Sequence, residues 1–588
     1  MSKRWIPKPP VDDKVRAELA SSLAVDPIIA GLLIQRGIND FDAAREFFRP
    51  GIHALHDPFL MKDMDRAVHR LSEALELCQP ILVYGDYDVD GTTAVTLVYS
   101  YLKELGANCD YYIPDRYTEG YGFSFLAVDY AKEKGIKLII TLDCGIKDAE
   151  KIAYAKQKGI DVIICDHHHV GELPPAFAVL DPQRADCPYP YKGLSGCGVG
   201  FKLLQGLCIQ NNIDTEGLMK YLDLLTISIG ADIVPLTDEN RILAYYGLQL
   251  LAQEEIRPGI RAILNSAKFN RPEITITDVV FILSPRINAA GRLVSGRQAV
   301  ELLLASTLEE AMLLSPRLED VNAARKEFDK NITTEAHQQI MNDDFYRTSF
   351  TTVVSNKGWH KGVVGIVASR LIEAYYKPTI VLVDDGDKMS GSARSIQGVD
   401  LLQMLDECAP LLEQYGGHTM AAGLSLKSEN FEAFRLRFDE VVNKKLNSLL
   451  PSPFMEYDEE IQLAQITPKF YRIIKQFSPF GPQNMRPVFL ARNIVDAQYT
   501  RPVGESEAHL KLHIKQEGEQ SQPMYGIAFD MGKWSSFLKA GGKVDIIFSM
   551  EENIYNGTSS LQLFVKDIKK AGEHQTEKDL LNGVNTAY

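Results

Sequence analysis

The sequence predicts an α/β protein with a parallel sheet, a second α/β lobe behind it and a small all-β domain last. Three observations carry this. From Pro80 to His169 the apolar runs "PILVYG", "CDYYIP", "IKLIITLD" and "IDVIICDHHH" alternate with the helical segments "TTAVTLVYSYLKELG", "FSFLAVDYAKEKG" and "KDAEKIAYAKQKG". Strands alternating with helices imply right-handed crossovers and a parallel sheet, and cores such as "LIITL" and "VIIC" fit strands covered on both faces. A second rhythm of the same kind follows, with "FTTVVSN", a helix from Val363 to about Tyr376, "PTIVLVDD", "KMSGSARS" and a helix from about Leu401. Beyond Pro451 and Pro453 come short alternating runs, "HLKLHI", "PMYGIAF", "VDIIFSM" and "LQLFVKDI", broken by turn residues, the signature of a small barrel or sandwich.

Between the lobes, "RLEDVNAARKEFDKNITTEAHQQIM" places Leu318, Val321, Phe328, Ile332, Ala336 and Ile340 at helical spacing with charges between them, which predicts one long amphipathic connecting helix. Bulk properties fit several globular domains: 588 residues, 45% hydrophobic and 24% charged. The start "MSKRWIPKPP" lacks an apolar leader and no run reaches membrane-spanning length, so a cytoplasmic protein without membrane contact is expected. The eight cysteines form no CxxC pair, which argues against structural zinc and for reduced thiols. A net charge of −15 counts against a nucleic-acid partner unless the basic groups are locally concentrated.

The stretch "LVYGDYDVDGTT" raises the chemical question. It sets Asp86, Asp88 and Asp90 directly behind an apolar strand, where crowded carboxylates repel one another. A solvated Asp/Gly turn is one reading and a metal cluster the other. Further strands end the same way: "IITL" runs into Asp143, and "VIIC" into Asp166, His167 and His168. In open parallel sheets ligands bind beyond the carboxyl ends of the strands, so these groups are expected to converge on one crevice. Two divalent cations would relieve the crowding and create a site for attack on phosphorus. Oxygen-rich ligation with a single imidazole suits Mn²⁺ or Mg²⁺. No G-x-x-x-x-G-K-[ST] motif is present, so no nucleotide cofactor is expected.

Basic residues cluster where acids are missing. Ser284 to Val300 carries Arg286, Arg292 and Arg297, Ser355 to Ile372 carries Lys357, His360, Lys361 and Arg370, and Lys388 to Val399 carries Lys388 and Arg394, with no Asp or Glu in any of them. Gly-rich turns flanked by cations can cradle successive phosphates. "GGHTMAAG" adds Gly416, Gly417 and His418, which suit either close approach to a phosphate or tight packing.

"DYDVDGTT", "TLDCG", "DHHHV" and "GADIVPL" resemble the DHH phosphoesterase superfamily. "CPYPYKGLSGCGVGFKL", "PRINAAGRL", "GWHKGVVGIVASRL", "SGSARS", "GGHTMAAG" and "PFGPQNMRPVF" are similar to its branch of bacterial single-strand-specific exonucleases. The resemblance runs from about Asp86 to Phe564. It implies a DHH catalytic domain over 56–310 after an N-terminal extension over 1–55, and a connecting helix over 311–345. A DHHA1-type substrate-binding domain over 346–450, an OB-fold over 455–570 and a polar tail over 571–588 would follow. It makes Asp88, Asp90, Asp143, His167 and Asp232 ligands of a two-metal centre with Asp143 bridging, and has His168 touch a metal or the scissile phosphate. Tyr84 stands where many of these enzymes have a histidine, so Asp86 or water would complete one metal site. Asp166 would orient His167, and His169 would be a solvated extra. Arg286, Arg292, His360, Arg394, Gly416, Gly417 and His418 would contact the nucleic acid. Phe489, Tyr499, Tyr525 and Phe529 are candidates for stacking on bases, with core packing as the alternative. The implied activity is metal-dependent 5′ to 3′ hydrolysis of single-stranded DNA to mononucleotides in repair and recombination, by a monomer working with a helicase and a single-strand-binding protein. The competing expectations are a phosphodiesterase of short oligoribonucleotides or cyclic dinucleotides, and a non-catalytic scaffold.

Overall fold

The computed structural model describes residues 3–518, 522–555 and 558–573; from position 574 on, the expected polar tail lies outside these residues. The chain forms two compact units, one of residues 51–451 and one that joins residues 1–50 to residues 452–588.

The larger unit begins with a five-stranded sheet of β1 (Ile81–Gly85), β2 (Cys109–Tyr112), β3 (Leu138–Leu142), β4 (Asp161–Cys165) and β5 (Ala178–Leu180), in the order β2-β1-β3-β4-β5. Every neighbouring pair is parallel. β1 and β3 are buried at all five positions, which is why they read as unbroken apolar runs. Helix α1 (Val89–Glu104) follows β1 and is capped by Asp88, whose carboxylate accepts from the Gly91 amide at 3.1 Å. A Cβ on Gly91 would sit 2.3 Å from the Asp86 carbonyl oxygen, so only glycine lets this helix start so near the strand end.

Among the further helices of this lobe are α2 (Gly196–Gln210), α3 (Leu222–Ala231) and α4 (Ser284–Leu293). They lead into α5 (Leu308–Asn342), a helix of 35 residues with Pro316 inside it. Its buried face includes Leu318, Ile332, Ala336 and Ile340 as the spacing predicts, but also the polar Asn322 and Asp329. Phe328, expected on the apolar stripe, is 39% exposed and stacks on His360 at 5.3 Å.

The second lobe is a mixed sheet of β6 (Thr352–Asn356), β7 (Thr379–Asp384), β8 (Lys388–Arg394), β9 (Gln414–Gly417) and β10 (Ala421–Lys427), in the order β9-β10-β8-β7-β6. Only β6 and β7 are parallel. Helix α6 (Val364–Tyr375) packs on it with buried Val364, Val367, Ala368 and Leu371.

The smaller unit holds a seven-stranded sheet of β11 (Glu459–Glu460), β12 (Phe489–Asp496), β13 (Arg501–Val503), β14 (His509–Gln516), β15 (Met524–Ala528), β16 (Val544–Tyr555) and β17 (Thr558–Lys570), in the order β11-β12-β16-β17-β15-β14-β13. Pairing of β12 with β14 closes it into a barrel. Residues 1–50 are no free-standing extension. Arg4–Pro7 pairs in parallel with Phe454–Tyr457, and Ile29, Leu32 and Leu33 share one core with Ile461, Phe477, Phe489 and Phe548. An apolar segment such as "PIIAGLLI" must be covered, and the barrel covers it. Among the described residues no single helix is long and apolar enough to cross a membrane.

Candidate metal centre and nucleic-acid interface

Because the strands of the first sheet are parallel, their carboxyl ends share one edge, and Asp86, Asp143, Asp166 and Asp181 each stand one residue beyond a strand there. Ligand atoms of Asp86, Asp88 and Asp143 lie within 4.8 Å of one another, as do those of Asp90, His167 and Asp232 and those of Asp143, His167 and His168. Asp143 is common to two of these groups. Its backbone turns sharply at φ +60, and its amide bonds to the Cys165 carbonyl at 2.9 Å. His167 Nε2 lies 3.1 Å from Asp143, 3.5 Å from Asp232 and 3.7 Å from Asp90.

The surroundings fix each group. Asp90 accepts from the amides of Gly196 and Cys197, at the start of α2, at 2.7 and 2.9 Å and from the Ser228 hydroxyl at 2.6 Å. Asp232 caps the C-terminus of α3. Asp166 bonds to His168 Nδ1 at 2.7 Å and accepts from the Ile146, His167 and His168 amides. It therefore orients the ring of His168, not that of His167 as the sequence suggests, because His168 is the ring that turns back toward it. The Tyr121 hydroxyl meets His168 Nε2 at 2.9 Å. Tyr84 is fully buried and donates to the Gly122 carbonyl at 2.7 Å, so its hydroxyl is engaged away from the acids. His169 is exposed.

Electrostatically the cluster is starved of positive charge. Burial, then Asp90, Asp88, Asp232 and Asp86, holds the Asp143 carboxyl well above the usual range. Burial and Asp88 do the same to Asp86. Asp232 is pushed up to about 8 by burial, Asp90 and Asp88. Both carboxylate oxygens of Asp86 are buried with no hydrogen-bond partner among the described residues. An acid so placed is costly unless something cationic meets it, and a set of carboxylates with one imidazole suits a hard divalent ion.

Next to this centre is a cavity of about 500 Å³ whose lining includes Arg116, Arg292, Lys361, Arg394, Gly416 and Gly417. Arg292 is pushed down to about 10 by burial and by Arg116, Arg325 and Arg394, while Asp88 pulls the other way. It donates to the Gly362 carbonyl at 3.0 Å, which ties α4 to the second lobe. Burial also lowers Arg394. Crowded, desolvated guanidiniums of this kind are arranged for an anion. His360 lies beside the cavity, its Nδ1 accepting from the Gly362 amide at 3.1 Å. His418 is exposed, and its imidazole is lowered by partial burial and by the charges of Lys147, His168 and His169.

Arg286 does not join them. It is bound to Glu319 of α5 at 2.7 Å and donates to the Ile282 carbonyl. Arg297, Lys361, Arg370 and Lys388 likewise meet Glu301, Asp385, Asp329 and Glu413. Stretches free of acid along the chain are not free of it in space. Sequence reasoning also passed over groups that the fold brings in. Arg116 sits in the "PDRYTEG" loop, and Arg325 on α5 has a buried Nε without a partner among the described residues. Asp181, fully buried and pushed up to about 7 by burial and by Asp166, follows a strand of only three residues, too short to announce a strand end.

In the smaller unit, Phe489 is fully buried, whereas Tyr499, Tyr525 and Phe529 are 70%, 53% and 48% exposed. Tyr525 and Tyr499 pack on His513 at 4.6 and 5.2 Å, and Phe529 packs on His509 at 5.0 Å. Lys511 and Lys515 alternate with these histidines on the outer face of β14. One face is thus both aromatic and basic.

Comparison with known proteins accounts for this assembly. Family models match as the N-terminal domain of the DHH family over residues 80–229, the DHHA1 domain over 348–444 and the RecJ OB domain over 457–567. The chain is 37% identical over 567 residues to the single-stranded-DNA-specific exonuclease RecJ of Bacillus subtilis, covering 96% of this chain and 70% of that one. It is 35% identical over 573 residues to the RecJ of Salmonella typhimurium, covering 94% and 97%. This chain belongs to the RecJ family. Crystal structures of RecJ from Thermus thermophilus superpose on it with TM-scores of 0.82 for the Mn²⁺ complex and 0.77 for the Mg²⁺ complex. They are 27% and 26% identical to it, and each covers 97% of this chain and 80% or 79% of the other. The expected fold class holds: a parallel-sheet DHH domain, a DHHA1 domain and a RecJ OB domain.

Proposed function

We propose that this RecJ-family chain is a metal-dependent, single-stranded-DNA-specific exonuclease, a phosphodiesterase that removes nucleotides from the 5′ end. The observation that carries the reading is the buried acid cluster: Asp86 has two unpartnered oxygens, and Asp143 is shared between two ligand groups. Asp86, Asp88 and Asp143 would hold one Mn²⁺ or Mg²⁺, and Asp90, His167 and Asp232 a second, with Asp143 between them. When bound, such ions offset charge developing on phosphorus and acidify a water.

The chain's own groups do the rest. Ser228 and the amides of Gly196 and Cys197 fix the Asp90 carboxylate, so the fold itself sets its orientation. His168, held through Nδ1 by Asp166 and at Nε2 by Tyr121, presents an edge beside the scissile phosphate. Burial is the largest influence on it and lowers its basicity, but the bond to Asp166 together with the charges of Asp166 and Asp232 raises it on balance. Arg116, Arg292 and Arg394 receive a backbone phosphate in the cavity, with Gly416, Gly417 and His418 closing on the strand. His360 supports this wall, and Asp181 carries no assigned role. On the barrel, Tyr499, Tyr525 and Phe529 stack on bases without sequence preference while Lys511 and Lys515 meet phosphates. The enzyme would act as a cytoplasmic monomer, in keeping with eight unpaired cysteines, on strands exposed by a helicase and covered by a single-strand-binding protein.

The test is product analysis on 5′- and 3′-labelled single strands, duplexes and short oligoribonucleotides with Mn²⁺, Mg²⁺ or chelator. Release of the 5′ label as mononucleotide from single strands, only with metal, is expected. Equal release from both ends, or preference for dinucleotides, would remove the reading.

A further inference from the structure

Ile233 follows the metal-ligating candidate Asp232 and stands at the position just past the end of α3, where helices commonly place glycine because the backbone turns left-handed. Its φ is +58, and a β-branched side chain in that region is a true outlier that crowds its own backbone. Nothing in the fold requires isoleucine there. The side chain is 65% exposed, while its neighbours Val234 and Leu236 are 8% and 1% exposed. The loop is also rigid: the Pro235 carbonyl accepts from the Tyr191 hydroxyl and from Asn240 Nδ2, both at 2.9 Å. A strained, solvent-facing apolar group is thus held still one residue from the metal centre. Glycine would relieve the strain, and a polar residue would suit the exposure, so the local physics argues against isoleucine on both counts.

Strain of this kind persists at sites that use it. On the reading of this chain as a nuclease, we infer that Ile233 is a substrate-positioning residue whose aliphatic face packs on the nucleobase beside the scissile phosphate. Aliphatic packing on a base needs no hydrogen-bond pattern, so it steadies any of the four bases equally. It would fix the sugar and phosphate of that nucleotide over Asp232 and His167, while the arginine cavity takes a phosphate further along the strand. It acts on the strand directly and not through the metal ligands.

The full-length protein with Ile233→Gly tests this, because glycine accepts the backbone conformation and removes only the side chain. Release of the end nucleotide is followed with Mn²⁺ on an ordinary single strand and on one whose end nucleotides are abasic. The variant is expected to lose about tenfold in kcat/KM on the ordinary strand and to match the parent protein on the abasic one. Its melting temperature should be equal or higher and its affinity for Mn²⁺ unchanged. Equal losses on both strands, no loss on either, or weakened Mn²⁺ binding would overturn the assignment. Ile233→Asn, which also tolerates the left-handed region, should behave as the glycine variant does and serves if that variant folds poorly. If the parent protein itself fails to cut single strands, the nuclease reading has failed and not this positioning role.

Discussion

Gly196 packs so closely on Asp143 that a Cβ on the glycine would lie 2.5 Å from the Cβ of the aspartate. Neither can retreat: the Gly196 amide is committed to Asp90, and the Asp143 amide to Cys165. Gly196→Ala must therefore displace the group shared by the ligand clusters. A displacement approaching 1 Å at a reacting centre costs roughly a hundredfold in rate. We expect a fall of that order in kcat with Mn²⁺, and weaker Mn²⁺ binding by calorimetry. A variant with unchanged turnover would show that Asp143 needs no such fine placement.

Asp143→Asn puts a permanently neutral group of the same size in place of a carboxyl whose ionisation burial and the neighbouring acids oppose. Hydrolysis should vanish, while in chelator the melting temperature should rise, since repulsion is relieved without loss of volume. Scanning calorimetry in chelator and a single-turnover assay with Mn²⁺ check the two halves. Retained turnover would sink the assignment of Asp143 as a metal ligand.

The same crowding sets the pH dependence of the metal-free protein. The Asp232 carboxyl titrates at about 8 when folded, against 3.8 for the free group. A raised carboxyl means that the folded state holds the proton more tightly, so this stabilisation is complete below about pH 4 and is lost as the pH rises through about 8. In chelator the melting temperature should therefore fall between about pH 5 and 8.5. With saturating Mn²⁺ the fall should disappear or reverse, because the ion takes the place of the proton. A metal-free melting temperature that rises over that interval would contradict the cluster.

Arg394→Ala and Arg286→Ala should part company. Every arginine taken away from a backbone phosphate leaves about one counterion unreleased, so Arg394→Ala should weaken single-strand binding and flatten the slope of log affinity against log salt by about 1. Arg286 is spent on Glu319, so its removal should leave the slope alone and slightly lower stability. Binding isotherms at several salt concentrations, measured on the Asp143→Asn background, distinguish them. An unchanged slope for Arg394→Ala would make it structural.

Removing the barrel alone should misfire. A chain of residues 1–451 keeps Ile29, Leu32 and Leu33 but lacks the core that covers them, and is expected to aggregate. A chain of residues 51–451 should melt cooperatively and still cut short strands with Mn²⁺, with weaker hold on long ones. If it degrades long strands as processively as the full chain, the barrel is not a grip.

What the sequence disclosed and what it hid follow from how far each relation reaches along the chain. Asp86, Asp143 and His167 were legible because a parallel sheet puts every strand end on one edge, so local pattern was enough. Arg286 was misleading because its partner, Glu319, lies on another helix. Arg116 and Arg325 were invisible because only folding brings a loop and the connecting helix toward Arg292. Residues 1–55 read as a mere N-terminal extension because the strand beside Arg4–Pro7 is Phe454–Tyr457, far along the chain.

That last pairing has a consequence in time. Lys8 bonds to Asp458 across 450 residues, and Trp5 reaches Asp567 across 562. At roughly 5–20 residues per second of synthesis, the N-terminal helices wait roughly 20–90 s for their partner to be made. Meanwhile residues 51–451, complete in themselves, can fold. "PIIAGLLI" is thus an apolar segment that the topology leaves uncovered until its partner strands exist. The lobes of residues 51–451 can fold first, and the barrel unit closes only once its later strands have been made.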